Sequence, residues 1–136
     1  MKPDLVCALQ GEYPHYWAPE LARLPDGWEM PLVTLFDSLL RLNSIDATSD
    51  RFVAAVRLRF DIQQTSASAF ATPTMHVRWW TPARSQALIV ALDSFHAATR
   101  STCSRCGSND AMLRTRWLGD DQEAILCDEC TEKSHG

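Results

Sequence analysis

Four cysteines in the last 34 residues constrain this chain more than any other feature. Cys103-Ser-Arg-Cys106-Gly is followed, twenty residues on, by Cys127-Asp-Glu-Cys130. The pattern C-x2-C-x20-C-x2-C is close to the spacing of a zinc ribbon. Two thiolates three positions apart can grip one ion from a tight turn. Two such turns complete a tetrahedron with bonds of ~2.3 Å. Gly107 supplies the left-handed backbone that such a knuckle often needs. Residues 111–118 and 123–126, joined by Gly-Asp-Asp, read as a β-hairpin that brings the two knuckles together. The residues after Cys130 can begin a short terminal helix, which would make the module a treble clef rather than a plain ribbon. The expected ligands of one structural Zn2+ are therefore Cys103, Cys106, Cys127 and Cys130. The competing reading, a pair of redox dithiols, lacks the thioredoxin-like βαβ pattern. His135 is a substitute ligand only if one cysteine is not used. Cys7 stands far away and reads as a small buried apolar residue.

The remaining composition sets the class. The chain has 136 residues, of which 46% are apolar and 22% charged. That supports a globular body of about 100 residues with a small appended module. The expected division is 1–101 for an α+β body and 102–136 for the zinc-binding module. No run approaches ~18 apolar residues, so no membrane span is expected. The first 17 residues lack the apolar core of a signal peptide, which makes the cytoplasm the expected compartment. In that compartment clustered cysteines point to metal rather than to disulfides.

The body reads as helices packed on a small antiparallel sheet. Residues 3–10 form a short helix stopped by Gly11, and 19–24 another, followed by a Pro-Asp-Gly turn. Residues 31–42 form the first strong helix, with Pro31 at its first position. Its stripe of Leu32, Leu35, Phe36, Leu39 and Leu40 should face the core. Residues 52–62 alternate over eleven positions and predict a half-buried strand. Residues 63–74 read as a flexible connection of small and polar side chains. Residues 75–80 read as the second strand, antiparallel to the first. Thr81-Pro82 then combines an N-cap with proline at the first helical position, opening a helix to about residue 100. Leu88, Ala91, Leu92, Phe95 and Ala98 are its expected buried stripe. Trp28, Trp79 and Trp117 are expected in the core or against the module.

Charge is partitioned along the chain. The net charge of −4 disfavours a protein coated in positive charge. It conceals −5 over residues 1–50, +4 over 51–84 and −3 over 85–136. The basic segment places Arg57 and Arg59 on one strand face. His76, Arg78 and Trp80 share a face of the strand expected next. Such a surface could track phosphates and stack bases, or receive an acidic protein through arginine pairs. It could equally be neutralised internally by the acidic flanks.

No catalytic arrangement stands out. G-x-S-x-G, a phosphate-cradling glycine loop and H-E-x-x-H are all missing from the sequence, so the chain is not expected to be an enzyme. Four thiolates close the metal's shell, whereas catalysis needs an open position.

The order of motifs resembles a group of small proteins from phages, prophages and other mobile elements. It runs YPHYW, GWEMPLVTLFDSLLRL, VAAVRLRF, ALDSFHAATRSTCSRCG and LCDEC. Its specific parts are Gly27-Trp28, Ser101-Thr102-Cys103 to Gly107, and Leu126 to Cys130. The group's usual lysine-glutamate-lysine strand is poorly matched by Arg57-Leu58-Arg59-Phe60. The resemblance implies a zinc-bearing fold and a mobile-gene context, without a reaction. The resulting expectation is a protein-interaction module, an inhibitor or regulator of a host system, whose partner is a host or self protein. The alternative is a nucleic-acid-binding protein using the Arg57, Arg59, His76, Arg78 and Trp80 face together with Arg105, Arg114 and Arg116.

Overall fold

A computed structural model of the chain describes residues 1–14, 16–42, 56–62, 67–73, 81–109, 113–119 and 122–135. Within them the molecule is helix-rich, with a two-stranded antiparallel sheet in the body and a hairpin at the cysteine cluster.

Helix α1 spans Pro3–Glu12 and buries Leu9. It does not stop at Gly11. That glycine is exposed, and a Cβ there would meet only open space. The helix closes one residue later, where the buried Tyr13 donates its backbone N–H to Leu9 at 2.8 Å. Glycine in a last turn costs about 1 kcal/mol at most, and the anchored tyrosine offsets it. Cys7 is exposed rather than buried. It lies two residues before Leu9, about 200° around the helix, so burying one exposes the other.

Two 3-10 helices, Pro19–Arg23 and Asp26–Trp28, replace the short helix and turn expected there. Leu21 in the first of them and Leu24 just after it are fully buried. Helix α2, Glu29–Arg41, follows without a break. It starts two residues before Pro31, which still lies in the first turn, where its missing N–H costs nothing. Leu32, Leu35, Phe36 and Leu39 are buried, but Leu40 is 45% exposed. At 100° per residue Leu40 lies about 80° from Leu32, at the edge of the stripe rather than in it.

Strand β1, Val56–Ile62, pairs antiparallel with β2, Ala67–Pro73. Residues 67–73 were expected to belong to a flexible connection, and the structure corrects this. Phe60, buried, stands opposite Ala69, which packs on the core. Arg59, exposed, stands opposite the exposed Phe70. A large residue facing a small one lets the ribbon lie close to the helices, and this small-residue alternation is what composition alone mistakes for a loop. The strand expected at 75–80, and with it Trp79, lies outside the described residues.

Helix α3, Pro82–Arg100, begins where the sequence places it. Thr81 caps it, its Oγ1 accepting the Arg84 N–H at 3.2 Å. Ala91, Phe95 and Thr99 are buried, while Leu88, Leu92 and Ala98 are half-buried. The core lies among α1, the two 3-10 helices, α2, α3 and the inner side of the ribbon. Its aromatic centre is Phe36, with Tyr13 and Tyr16 at ring distances of 5.1 and 6.0 Å. Phe95 meets Phe60 edge-on at 6.1 Å. Trp28 is buried in this core, as expected.

Strands β3, Arg114–Gly119, and β4, Gln122–Leu126, form the expected hairpin, with a register shift between Trp117 and Gly119. Helix α4, Asp128–His135, follows Cys127 directly.

Candidate metal centre

The cysteine cluster is assembled from the end of α3, the hairpin and the start of α4. Past α3 the chain turns back on itself. The Gly107 N–H donates to the Cys103 carbonyl at 3.0 Å, and the Cys103 N–H to the Ser108 carbonyl at 2.8 Å. Gly107 has φ +79, the left-handed conformation its lack of a Cβ permits. The loop is tied to the hairpin by the Ser104 N–H, which donates to Ile125 at 2.8 Å. That bond sets Cys103 and Cys106 beside Cys127, two residues beyond Ile125.

Cys127 stands immediately before α4. The Cys130 N–H points at its sulphur at 3.5 Å, as an amide does toward an N-cap side chain. The Thr131 N–H and hydroxyl both donate to the Cys127 carbonyl, at 3.0 and 2.9 Å. Cys130 therefore comes from the first turn of α4, whose positive end faces the sulphurs.

The four Sγ atoms all lie within 4.8 Å of one another. Cys106 Sγ and Cys127 Sγ are 3.7 Å apart. That is far beyond a disulfide bond of ~2.0 Å. It is the edge of a tetrahedron, about 3.8 Å, around an ion with 2.3 Å bonds to sulphur. None of the four is in a disulfide, and Cys103, Cys127 and Cys130 are buried while Cys106 faces solvent. The donor set and its spacing thus fit a metal ion shielded on three sides.

The thiols are strongly differentiated. Burial works against ionising Cys103, but backbone N–H groups of Cys106, Cys127 and Arg105 outweigh it and lower its pKa to about 6. Cys130 is pushed up to about 12 by burial and by the neighbouring thiols. Cys106 receives a lowering hydrogen bond from the Ser108 backbone, yet burial and the adjacent cysteines leave it raised. Four thiols this close cannot all ionise without a cation among them.

The second set of candidate residues is only partly placed. Arg57 lies on β1 opposite Thr72, and Arg59 opposite Phe70. His76, Arg78 and Trp80 lie outside the described residues, so the combined face is not assembled here. Among the described residues the neighbour of β1 is 67–73, which brings Phe70 beside Arg59.

Two features escaped the sequence reading. The first is Gly27, whose N–H donates to the Ser104 carbonyl at 2.9 Å and so ties the body to the cysteine loop. The Gly27-Trp28 pair was its one available signal. The second is a groove of 540 Å³ between α2 and α3. Met30, Leu35, Val90, Ala91 and Phe95 line it, and Thr102 and Gly107 of the cysteine loop contribute to its wall. Met30 is 67% and Val90 52% exposed.

Fold and site together define a helix-rich protein with a C-terminal four-cysteine cluster suited to a metal ion. No helix among the described residues is long and apolar enough to cross a membrane. Comparison with family models, curated proteins and solved structures gave no match to this chain.

Proposed function

We propose that the chain is a small zinc protein that acts as a protein-interaction module. The observation that carries this reading is the convergence of four cysteine sulphurs within 4.8 Å of one another, with Cys106 and Cys127 at a tetrahedral edge of 3.7 Å. Soft thiolate donors in a tetrahedron select zinc among the common divalent ions. A knuckle, a β-hairpin and a helix carrying the last ligand have the layout of a treble clef. The shell of four sulphurs is closed, which makes the ion a scaffold rather than a catalyst. Reduced thiols of this kind suit a cytoplasmic protein.

The interaction surface in this reading is the α2/α3 groove. Its exposed Met30 and Val90 offer the apolar surface into which a partner's amphipathic helix lays its own apolar face. The resemblance to mobile-element proteins makes an inhibitor or regulator of a host system the specific form of the proposal.

A second reading, nucleic-acid binding, has one observation in its favour: exposed Arg59 stands beside exposed Phe70 on the outer side of the ribbon. A cation next to an aromatic can pair with phosphate and stack a base.

The deciding experiment has three arms, two on the purified full chain and one in the native host. Native mass spectrometry should show one zinc per chain. Labelled single- and double-stranded oligonucleotides should fail to bind at low salt. A photo-crosslinker at position 90 should capture one stoichiometric protein in the native host, and Met30→Glu should abolish the capture. Oligonucleotide binding that falls steeply with salt and is lost in Arg57→Ala/Arg59→Ala favours the second reading.

A further inference from the structure

The body and the cysteine loop meet backbone to backbone at one glycine. Gly27 lies in the 3-10 helix before α2, 76 positions ahead of Cys103. Its N–H donates to the Ser104 carbonyl at 2.9 Å. A Cβ at Gly27 would fall 2.6 Å from the Ser104 carbonyl carbon and 2.7 Å from its oxygen, and would press harder still on the Cys103 carbonyl oxygen. These are backbone atoms, so no rotamer change relieves the overlap. On the other side, the Cα of Gly27 stands 3.8 Å, and its carbonyl oxygen 3.3 Å, from where a Cβ of Gly107 would be. The two glycines thus pack against each other across the joint, Gly27 from the body and Gly107 from the cysteine loop.

The loop held this way is the one that sets two ligands. The Cys103 carbonyl accepts the N–H of Gly107 at 3.0 Å, and the same carbonyl is what a Gly27 side chain would displace. Ser104 is held at both ends, its N–H by Ile125 at 2.8 Å and its carbonyl by Gly27. The knuckle carrying Cys103 and Cys106 is therefore clamped between the hairpin and the body. The body side of the clamp is rigid, because Trp28 next to Gly27 is buried and continues into α2.

We propose that Gly27 is a positioning residue of the metal centre: it holds the first knuckle in its ligating shape, so metal affinity depends on a contact from the body, and metal occupancy in turn steadies the Gly27–Ser104 hydrogen bond. The proposal rests on the metal-binding reading above. Groups that orient metal ligands without touching the ion are worth about 10- to 100-fold in affinity. By linkage the metal favours the clamped arrangement by the same factor.

The test uses Co2+ and Zn2+ with the full chain. Cobalt bound to four thiolates gives a visible absorption spectrum that reports ligand geometry, and zinc competition then gives affinity. Gly27→Ala should lower zinc affinity about 10- to 100-fold and alter the cobalt spectrum. Leu39→Ala, a buried position of α2 outside the clamp, should destabilise the body but leave affinity and spectrum unchanged. In the unaltered chain, chelation should speed hydrogen exchange at the Gly27 amide at least tenfold, with Leu35 and Leu39 amides unaffected. This last measurement decides the matter if Gly27→Ala does not fold. A Gly27→Ala chain with native affinity and spectrum, or a Gly27 amide indifferent to chelation, overturns the proposal. Failure of the unaltered chain to bind either ion overturns the metal-binding reading as well, which separates the two failures.

Discussion

The helical body and the cysteine module are held together by different physics. In the body, Leu21, Leu24, Leu32, Leu35, Phe36, Leu39 and Leu42 are essentially inaccessible to solvent. Burying one such side chain stabilises by about 1.5–3 kcal/mol, and the cluster extends from α1 to the inner side of the ribbon. The module's buried cluster is Cys103, Ala124, Leu126, Cys127 and Cys130, with Leu113 partly buried beside it. Three of those five residues are the proposed ligands. Among the described residues the module's buried apolar side chains beyond the cysteines are Ala124, Ile125 and Leu126, a small core to set against its ordering entropy. On the proposed reading the body's apolar core suffices by itself, whereas the module's order would depend on the bound metal.

The largest expected effect breaks the module alone. Cys130→Ser removes a buried ligand from the first turn of α4, and structural zinc supplies about 10–16 kcal/mol of apparent binding energy in small modules. Native mass spectrometry should show loss of the ion. Hydrogen exchange should show residues 113–135 unprotected, while amides of α2 away from the Gly27 joint keep their protection. A mutant that keeps one zinc and full protection would erase the distinction between the two regions.

The counterpart breaks the body. Phe36→Ala removes the ring that Tyr13 and Tyr16 both contact, and should cost about 3–5 kcal/mol in urea unfolding. Zinc stoichiometry at saturating metal should stay at one per chain.

A third effect separates the regions by pH. Metal binding requires thiolates, and in the metal-free cluster Cys106 and Cys130 hold their protons above the ordinary thiol range. Binding therefore releases protons, so affinity must rise with pH. With at least these two protons displaced, Kd should fall about a hundredfold for each unit of rise near neutrality. Zinc competition across pH 6.5 to 8 checks this. The body's titration lies at the opposite end of the scale. Tyr13 is raised to about 12 by its hydrogen bond to Asp37, by burial and by nearby carboxylates. A folded pKa above the unfolded value of 10.0 means a contribution fully present below pH 10, lost as pH climbs toward 12. Tyr13→Phe should be less stable than the parent at pH 8, by about 1.5–3 kcal/mol for a bond to a charged acceptor, and the gap should narrow above pH 10.

What the sequence disclosed follows the same division. The cysteine spacing made the four-cysteine cluster legible, because two pairs at such intervals are brought together by one hairpin. Thr81-Pro82 and the Leu32-Leu35-Phe36-Leu39 stripe were legible because caps and helical periodicity are local. Strand β2 was not, since Ala67, Ala69 and Ala71 are strand residues through their pairing with β1 and carry little β-propensity of their own. The burial states of Cys7 and Leu40 turned on which side of a helix met the core, a matter of tens of degrees. The role of Gly27 was beyond any local rule, because its partner lies 76 positions away and the contact is between backbones.

The smallest expected effect is the sharpest contrast. Tyr16 is buried in the body, and its hydroxyl has no hydrogen-bond partner among the described residues. Burial accordingly raises its pKa. An unpartnered buried hydroxyl has given up water without replacement, at a cost of about 1–3 kcal/mol. Tyr16→Phe removes that cost and keeps the ring stacked on Phe36 at 6.0 Å. The opposing term is the small void left where the oxygen stood, worth about 1 kcal/mol. The two largely offset, so urea unfolding should shift by about 0–2 kcal/mol in the stabilising direction. Removing one oxygen from the body is thus neutral or mildly stabilising, whereas exchanging one sulphur for oxygen at Cys130 dismantles the module. An apolar core tolerates the loss of a polar atom it never used, and a metal cluster tolerates no change in its donors.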